Sequence, residues 1–300
     1  MNRLKGYIYV IISGILFGCM PLIAKILYSN GCTPLSLVFY RFLLPIPFLY
    51  LICKKINISI KVTKRELKEL FLISILGYSA TPILLYTSYN FIPSGLSTSL
   101  HFIYPVIVTI VSIVIYKEKL DIIKILCPLL CTIGIFLFLN DLNLIDNSYL
   151  GIIFAIASGF TYSYYMIAVE RTSVGKINTY KTIFYLCLIS SAALFVYNII
   201  LDTLVTSFKP IIWLALVLFS LLISVGAVYF FQRGIAIIGA QNTSILSTTE
   251  PITSVIIGIT IFNEPITIKI ILGIAAIILS VVLLAINEKY ISNEVNVKKG

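Results

Sequence analysis

The sequence predicts an all-α membrane protein of ten transmembrane helices arranged as two inverted five-helix repeats. Three observations predict it. The 300 residues are 59% hydrophobic and only 11% charged, with a mean hydropathy of +1.05. The apolar residues gather into ten runs of about 20, the length that crosses a hydrocarbon layer of about 30 Å at 1.5 Å per residue. The second half also echoes the first at an offset of about 145 residues.

Composition excludes an ordinary soluble domain, whose surface needs about a quarter of its residues charged. A net charge of +10 would suit a nucleic-acid partner, but the basic residues occupy short, spaced loops and form no single patch. The apolar run after Met1 and Arg3 extends from about 7 to 28, too long for a signal-peptide core, so it reads as the first span. Cys19, Cys32, Cys53, Cys127, Cys131 and Cys187 show no metal or redox spacing and read as small helix-contact residues.

In order, the spans fall near 7–28, 34–53, 69–91, 93–116 and 120–139, then 148–169, 179–201, 210–233, 239–262 and 266–287. With the N-terminus inside, 18 of the 22 basic residues fall on inner loops and ends; Lys25, Arg41, Lys209 and Lys269 are the remainder. That bias predicts a multi-pass protein of the cell membrane with both termini cytoplasmic. The acidic loop 141–146, free of Lys and Arg, falls outside.

The repeat register divides the chain into 1–145 and 146–300, the latter with a short cytoplasmic tail. Ser13-Gly14 aligns with Ser158-Gly159, and Phe39-Tyr40 with Phe184-Tyr185. Tyr104-Pro105 aligns with Glu250-Pro251, and Glu118 with Glu264. Five spans per repeat is an odd number, so the second copy enters the membrane from the opposite side. Inverted repeats recur in secondary transporters, whose substrate site lies at mid-depth between the halves.

The Pro-containing fourth and ninth spans, each followed by a glutamate, and the run Glu250-Pro251, Gly258, Phe262-Asn263-Glu264 resemble the drug/metabolite transporter superfamily, within it the EamA-type ten-helix carriers. The resemblance covers roughly 5–287. In the first repeat Tyr104 stands where an apolar residue is commoner, and Lys119 follows the loop glutamate. The resemblance implies a central cavity lined by spans 1–4 and 6–9, with 5 and 10 peripheral. It also implies export or exchange of small metabolites such as amino acids.

Few side chains can carry chemistry inside the lipid. An ionisable group at mid-membrane costs about 2.5–3.5 kcal/mol on insertion scales, and therefore faces the bundle interior or a wet cavity. Glu250, directly before Pro251, is expected near the middle of span 9, where the proline frees backbone carbonyls around Ser247. It would hold an amine, a cation or a proton; the bland reading is a packing interaction. His101, the only histidine, lies three residues before Tyr104, on the same face of one helix. It suits proton coupling, or equally a hydrogen bond to another helix. Arg41 would bind a carboxylate bidentately, or else snorkel or pair with an acid, and Lys25 reads as snorkelling. Tyr86, Tyr162 and Tyr165 offer flat apolar faces with one hydroxyl each. Substrate binding is thus assigned to His101, Tyr104, Glu250, Ser247, Tyr86, Tyr162, Tyr165 and Arg41, with no catalytic residue, cofactor or metal ligand.

The expected activity is secondary active transport of a small metabolite, an amino acid or related compound, by alternating access and in the export direction. The expected surroundings are a lipid bilayer and a small-molecule substrate, with proton coupling open and no nucleic-acid partner. No GxxxxGK[ST] loop is present to hydrolyse ATP. Three readings stand beside it. Uptake or exchange of a cofactor-like metabolite uses the same architecture. A flippase for a lipid-linked substrate would need a basic headgroup site, for which Arg41 is available. An intramembrane enzyme would need a nucleophile and base that His101 alone does not supply.

Overall fold

A computed structural model of the chain describes residues 3–92, 94–118, 121–137, 148–262 and 266–297. The acidic loop 141–146, Lys119, Glu264, Lys298 and Lys299 lie outside these residues, as does the side chain of Lys25. Every regular element among the described residues is helical.

The first half contains α1 (Arg3–Gly18), α2 (Met20–Tyr28), α3 (Pro34–Leu43), α4 (Ile46–Lys55), α5 (Lys64–Leu72), α6 (Ala80–Ser88), α7 (Ser94–His101), α8 (Tyr104–Val114) and α9 (Ile122–Phe136). The second half contains α10 (Ser148–Arg171), α11 (Thr179–Ile200), α12 (Pro210–Ser220), α13 (Val228–Leu246), α14 (Thr249–Phe262) and α15 (Ile268–Val297). Seven helical segments are long and apolar enough to cross a membrane, and 122–136, 249–261 and 268–284 are shorter apolar helices.

The spans are mostly pairs of helices joined through a local irregularity. A π-helical turn, 73–79, joins α5 to α6, and another, 221–227, joins α12 to α13. These are the third span of each half, so the irregularity is itself repeated. Extra residues in such a turn re-aim the side chains that follow. Span 3 begins at Lys64, earlier than the hydropathy suggests. Thr63 and Glu66 form a reciprocal capping box that extends the helix by a polar turn.

Outside and inside are inverted relative to a soluble protein. Ile200, Val114 and Ile268 are about 70% exposed, whereas Ser13, Ser158, Ser190 and Thr243 are fully buried. The three serine hydroxyls close on backbone carbonyls, as in Ser13 Oγ donating to Ala227 O at 2.8 Å, whereas that of Thr243 is buried without a hydrogen-bond partner. In lipid an unpaired polar group has no water to turn to, so small hydroxyls serve as interhelical ties.

Glycines set the closest approaches. A Cβ on Gly6 would sit 2.9 Å from Ile237 Cγ2, and one on Gly234 would overlap Val10. These contacts seal α1 against α13 at the end of the bundle that carries Lys61, Lys64, Lys176 and Lys181.

The helical run from Pro210 to Leu246 would be about 55 Å long if straight, nearly twice the hydrocarbon thickness. It is not straight. Gly239 has φ +83° and ψ 165°, which reverses the chain. The helix thus runs to Ile238, past the expected boundary near 233, and a single residue makes the turn. A Cβ at Gly239 would lie 2.9 Å from Glu170 Oε1. Gly239→Ala should therefore cost about 1–3 kcal/mol from a positive-φ, extended backbone that is essentially glycine's alone, read as a lowered melting temperature in detergent.

Candidate functional site

The sequence places Tyr104-Pro105 and Glu250-Pro251 in equivalent helices, and in both the helix breaks just before the pair. Between α7 and α8 the chain makes a tight turn at Phe102-Ile103, with Ile103 N bonded to Leu100 O at 3.2 Å and Val106 N to Ile103 O at 3.0 Å. Between α13 and α14 the turn is Ser247-Thr248, with Glu250 N bonded to Ser247 O at 3.0 Å. Each proline thereby falls in a first helical turn, where its missing donor costs nothing. Two expectations change. Glu250 stands at the N-terminal end of α14 rather than mid-helix, where the helix dipole favours its negative charge. His101 and Tyr104 belong to different helices, though their rings remain 5.4 Å apart.

The two breaks meet beside a central cavity of about 550 Å³. His101, Tyr104, Glu250, Tyr86, Tyr162, Tyr165 and Arg41 all line it. Ser247 does not. It is 3% exposed and shares a 2.6 Å hydrogen bond with Tyr104 Oη. Because Ser247 Oγ also donates to Ser244 O at 2.8 Å, the phenol is the donor in that pair. Tyr104→Phe should cost about 1 kcal/mol, the net worth of a neutral hydrogen bond. The double variant with Ser247→Ala should cost less than the sum of the two single changes, measured by thermal unfolding in detergent.

His101 is organised in the same way. Its Nδ1 lies 2.9 Å from Ser158 Oγ, which donates to Ala155 O at 2.6 Å. In the neutral imidazole the proton therefore sits on Nδ1, and Nε2 is left as an acceptor. His101 thus lines the cavity and bonds to a neighbouring helix.

Arg41 turns into the cavity and pairs with no acid among the described residues. Its guanidinium carbon lies 5.7 Å from the Phe17 ring centre and 5.4 Å from that of Phe42, and Nη1 points to Met20 Sδ at 3.7 Å. Its Nε is buried without a hydrogen-bond partner. Among the described residues the Glu250 carboxylate also has no hydrogen bond or ion pair, although Arg41 acts on it electrostatically. The cavity thus holds one cationic and one anionic group that face its space and are not closed on each other.

Aromatic rings form the walls and floor. Tyr162 meets Tyr104 edge-on at 4.8 Å and stacks on Phe231 at 5.9 Å, while Tyr165 lies parallel to Phe231 at 6.3 Å. Tyr86 packs on Tyr89 at 5.4 Å. Phe17, Met20, Ala24 and Tyr28, absent from the sequence-based set, form a stripe of the lining. Their spacing of three, four and four residues was a usable signal. Ile135 reaches the cavity from α9, a span expected to be peripheral, whereas α11 contributes nothing to it.

Glu118, expected to be a loop or capping residue, forms an ion pair with Arg171 at the end of α10, and Arg171 also bonds Glu170 at 3.2 Å. No group of three or more His, Cys, Asp or Glu among the described residues could hold a metal ion.

A solved crystal structure matches 95% of this chain and 99% of its own with a TM-score of 0.80, at 15% identity, which shows the fold alone. No curated protein matches the sequence. The pattern of the EamA-like transporter family matches residues 4–140 and, a second time, 149–286. Two matches that together span most of the chain show that it belongs to the EamA-like transporter family, multi-pass membrane transporters of the drug/metabolite transporter superfamily.

Proposed function

We propose that the protein is a secondary carrier of a small solute bearing both an amine and a carboxylate, an amino acid or a close relative, exported across the cell membrane by alternating access. The observation that carries this reading is the pair Arg41 and Glu250, which face one aromatic cavity with no salt bridge between them. Each costs several kcal/mol to keep in lipid. A zwitterion supplies the missing counter-charges at once, its carboxylate to Arg41 and its ammonium to Glu250. Aromatic walls then favour an apolar or aromatic side chain.

In this reading the ten expected spans, inverted between 1–145 and 146–300, are retained, with basic loops and both termini cytoplasmic. The cavity residues Tyr28, Tyr86 and Tyr89 then belong to outward halves of their spans, and the conformation is open away from the cytoplasm. The cytoplasmic end is sealed by α1 on α13 and by the ring floor. Ser13 and Ser158 are equivalent yet differently engaged, Ser13 donating to Ala227 O and Ser158 to Ala155 O beside His101 Nδ1, as two halves in opposite phases of one cycle would be. His101 and Glu250 are the groups available for proton coupling.

The test is efflux and uptake in proteoliposomes with a panel of labelled amino acids, their amides and their deaminated acids, with and without a pH gradient. Flux is expected for compounds keeping both charges and not for those lacking either. Transport of the deaminated acids at equal rates would overturn the substrate class.

A further inference from the structure

A second cavity, of about 290 Å³, lies at the end of the bundle that carries the basic loops. Glu170, Thr179, Thr182, Gln232 and Ile235 line it, together with Val169. It shares no lining residue with the central cavity, and α11, absent from the central cavity, forms one of its walls.

Its polar groups are predominantly acceptors. Thr182 is 2% exposed and its hydroxyl has no hydrogen-bond partner. Gln232 uses its amide Nε2 to donate to Tyr165 Oη at 3.1 Å, which leaves the amide oxygen unengaged. Glu170 brings a carboxylate that accepts from Arg171 Nε at 3.2 Å and from the Ala240 backbone N–H, and one further carboxylate, Glu118, shares the single guanidinium of Arg171. Within the trio Glu118, Glu170 and Arg171 the surplus charge is negative, while Lys176, between the lining residues Gly175 and Ile177, is exposed.

The partition between the cavities is thin. Tyr165 lines the central one and Gln232 the inner one, and the hydrogen bond between them spans the boundary. The repeat explains the placement. The mouth of the central cavity is lined from α2, α3 and α6, among them Ala24, Arg41 and Tyr86. The inner cavity is lined from α10, α11 and α13, the corresponding parts of the second half, and Val169 is the counterpart of Ala24 at the offset of about 145.

We propose that the inner cavity is a second substrate station on the cytoplasmic side of the route, binding the protonated amine end of a small solute through Glu170 and Thr182, with the Tyr165–Gln232 pair as the partition. This rests on the carrier reading above and adds to it a site and its ligand chemistry.

The experiment introduces a single thiol by Thr182→Cys, with Ile235→Cys as a second position, in inside-out membrane vesicles. The probes are 2-(trimethylammonium)ethyl and 2-sulfonatoethyl methanethiosulfonate. Each rate is taken relative to a free thiol in solution, with the parent protein's own labelling subtracted. The cationic probe is expected to react about tenfold faster than the anionic one, the effect of one nearby charge in a partly solvated site. Glu170→Gln should remove most of that preference. In right-side-out vesicles, where the probes reach these thiols only past the Tyr165–Gln232 partition, Gln232→Leu should raise the rate of both probes about fivefold, the factor that one net hydrogen bond supplies.

Equal rates for the two probes, no reaction at either position, or no response to Gln232→Leu would each overturn the proposal. Flux separates this outcome from the carrier reading itself. Saturable transport with an unselective inner cavity defeats only the second station. A cation-selective cavity in a protein without flux defeats the carrier.

Discussion

Glu250→Gln should lower initial flux by about ten- to a hundredfold while the protein inserts and folds as before. The range follows from the loss of one charge-assisted hydrogen bond, worth about 1.5–3 kcal/mol, if the carboxylate holds the substrate's ammonium. Two features make the variant clean. Among the described residues the Glu250 carboxylate has no hydrogen bond or ion pair, so the amide breaks no existing tie. Its backbone is held independently, by Glu250 N on Ser247 O and by Pro251 in the first turn of α14. Glu250→Asp, which keeps the charge but shortens its reach, should recover part of the flux. The measurement is efflux from proteoliposomes beside size-exclusion profiles of each variant; full flux in Glu250→Gln would remove the residue from the binding role.

Gly14→Val should reduce both stability and transport, because this glycine sets the height of Glu250. A Cβ at Gly14 would overlap Thr249 Oγ1 and lie 3.1 Å from Thr249 Cβ and 3.2 Å from Glu250 N. The hydroxyl cannot simply rotate away, since it donates to Leu246 O at 3.0 Å. Valine adds two further carbons, so the start of α14 must move. Overpacking of this kind costs about 1–3 kcal/mol, and any displacement is passed directly to the carboxylate. Gly226 serves as the control. A Cβ there meets Leu16 Cδ1 at 3.6 Å and Leu221 O at 3.8 Å, ordinary van der Waals contacts, and Gly226→Ala should leave melting temperature and flux nearly unchanged. A Gly14→Val variant with normal flux would show that the approach of α1 to α14 does not position Glu250.

Which residues lie in lipid was legible from hydropathy, and the repeat register placed Tyr104 and Glu250 opposite each other before any coordinates. Which face of each helix looks inward was much less legible. In water an amphipathic stripe marks the buried face, but lipid is as apolar as a leucine side chain, so the pattern loses contrast. Phe160 on α10 is 57% exposed while Tyr165 on the same helix is 1% exposed, and nothing in their local sequence separates them. Seven of the eight candidate site residues line the cavity because rare polar groups and paired prolines single them out. Phe17 and Met20 carry no such mark.

Arg41 shows the same limit from the other side. Its charge made it a candidate, but snorkelling, ion pairing and ligand binding leave identical traces in a sequence. Only the positions of Phe17, Phe42 and Met20, from two different spans, separate them. The inner cavity was invisible for a further reason. Thr182, Gln232 and Glu170 are scattered over three helices, and they line one cavity beside Gly239, the single non-helical residue inside a continuous helical run.

The most direct measurement is counterflow: proteoliposomes loaded with an unlabelled zwitterionic amino acid that the flux panel identifies, and labelled solute added outside at trace concentration. One cavity exposed alternately to the two sides predicts transient accumulation of label above equilibrium, saturating with outside concentration and lost in Glu250→Gln. Label that only equilibrates, at a rate linear in concentration and indifferent to internal loading, would contradict alternating access through this cavity.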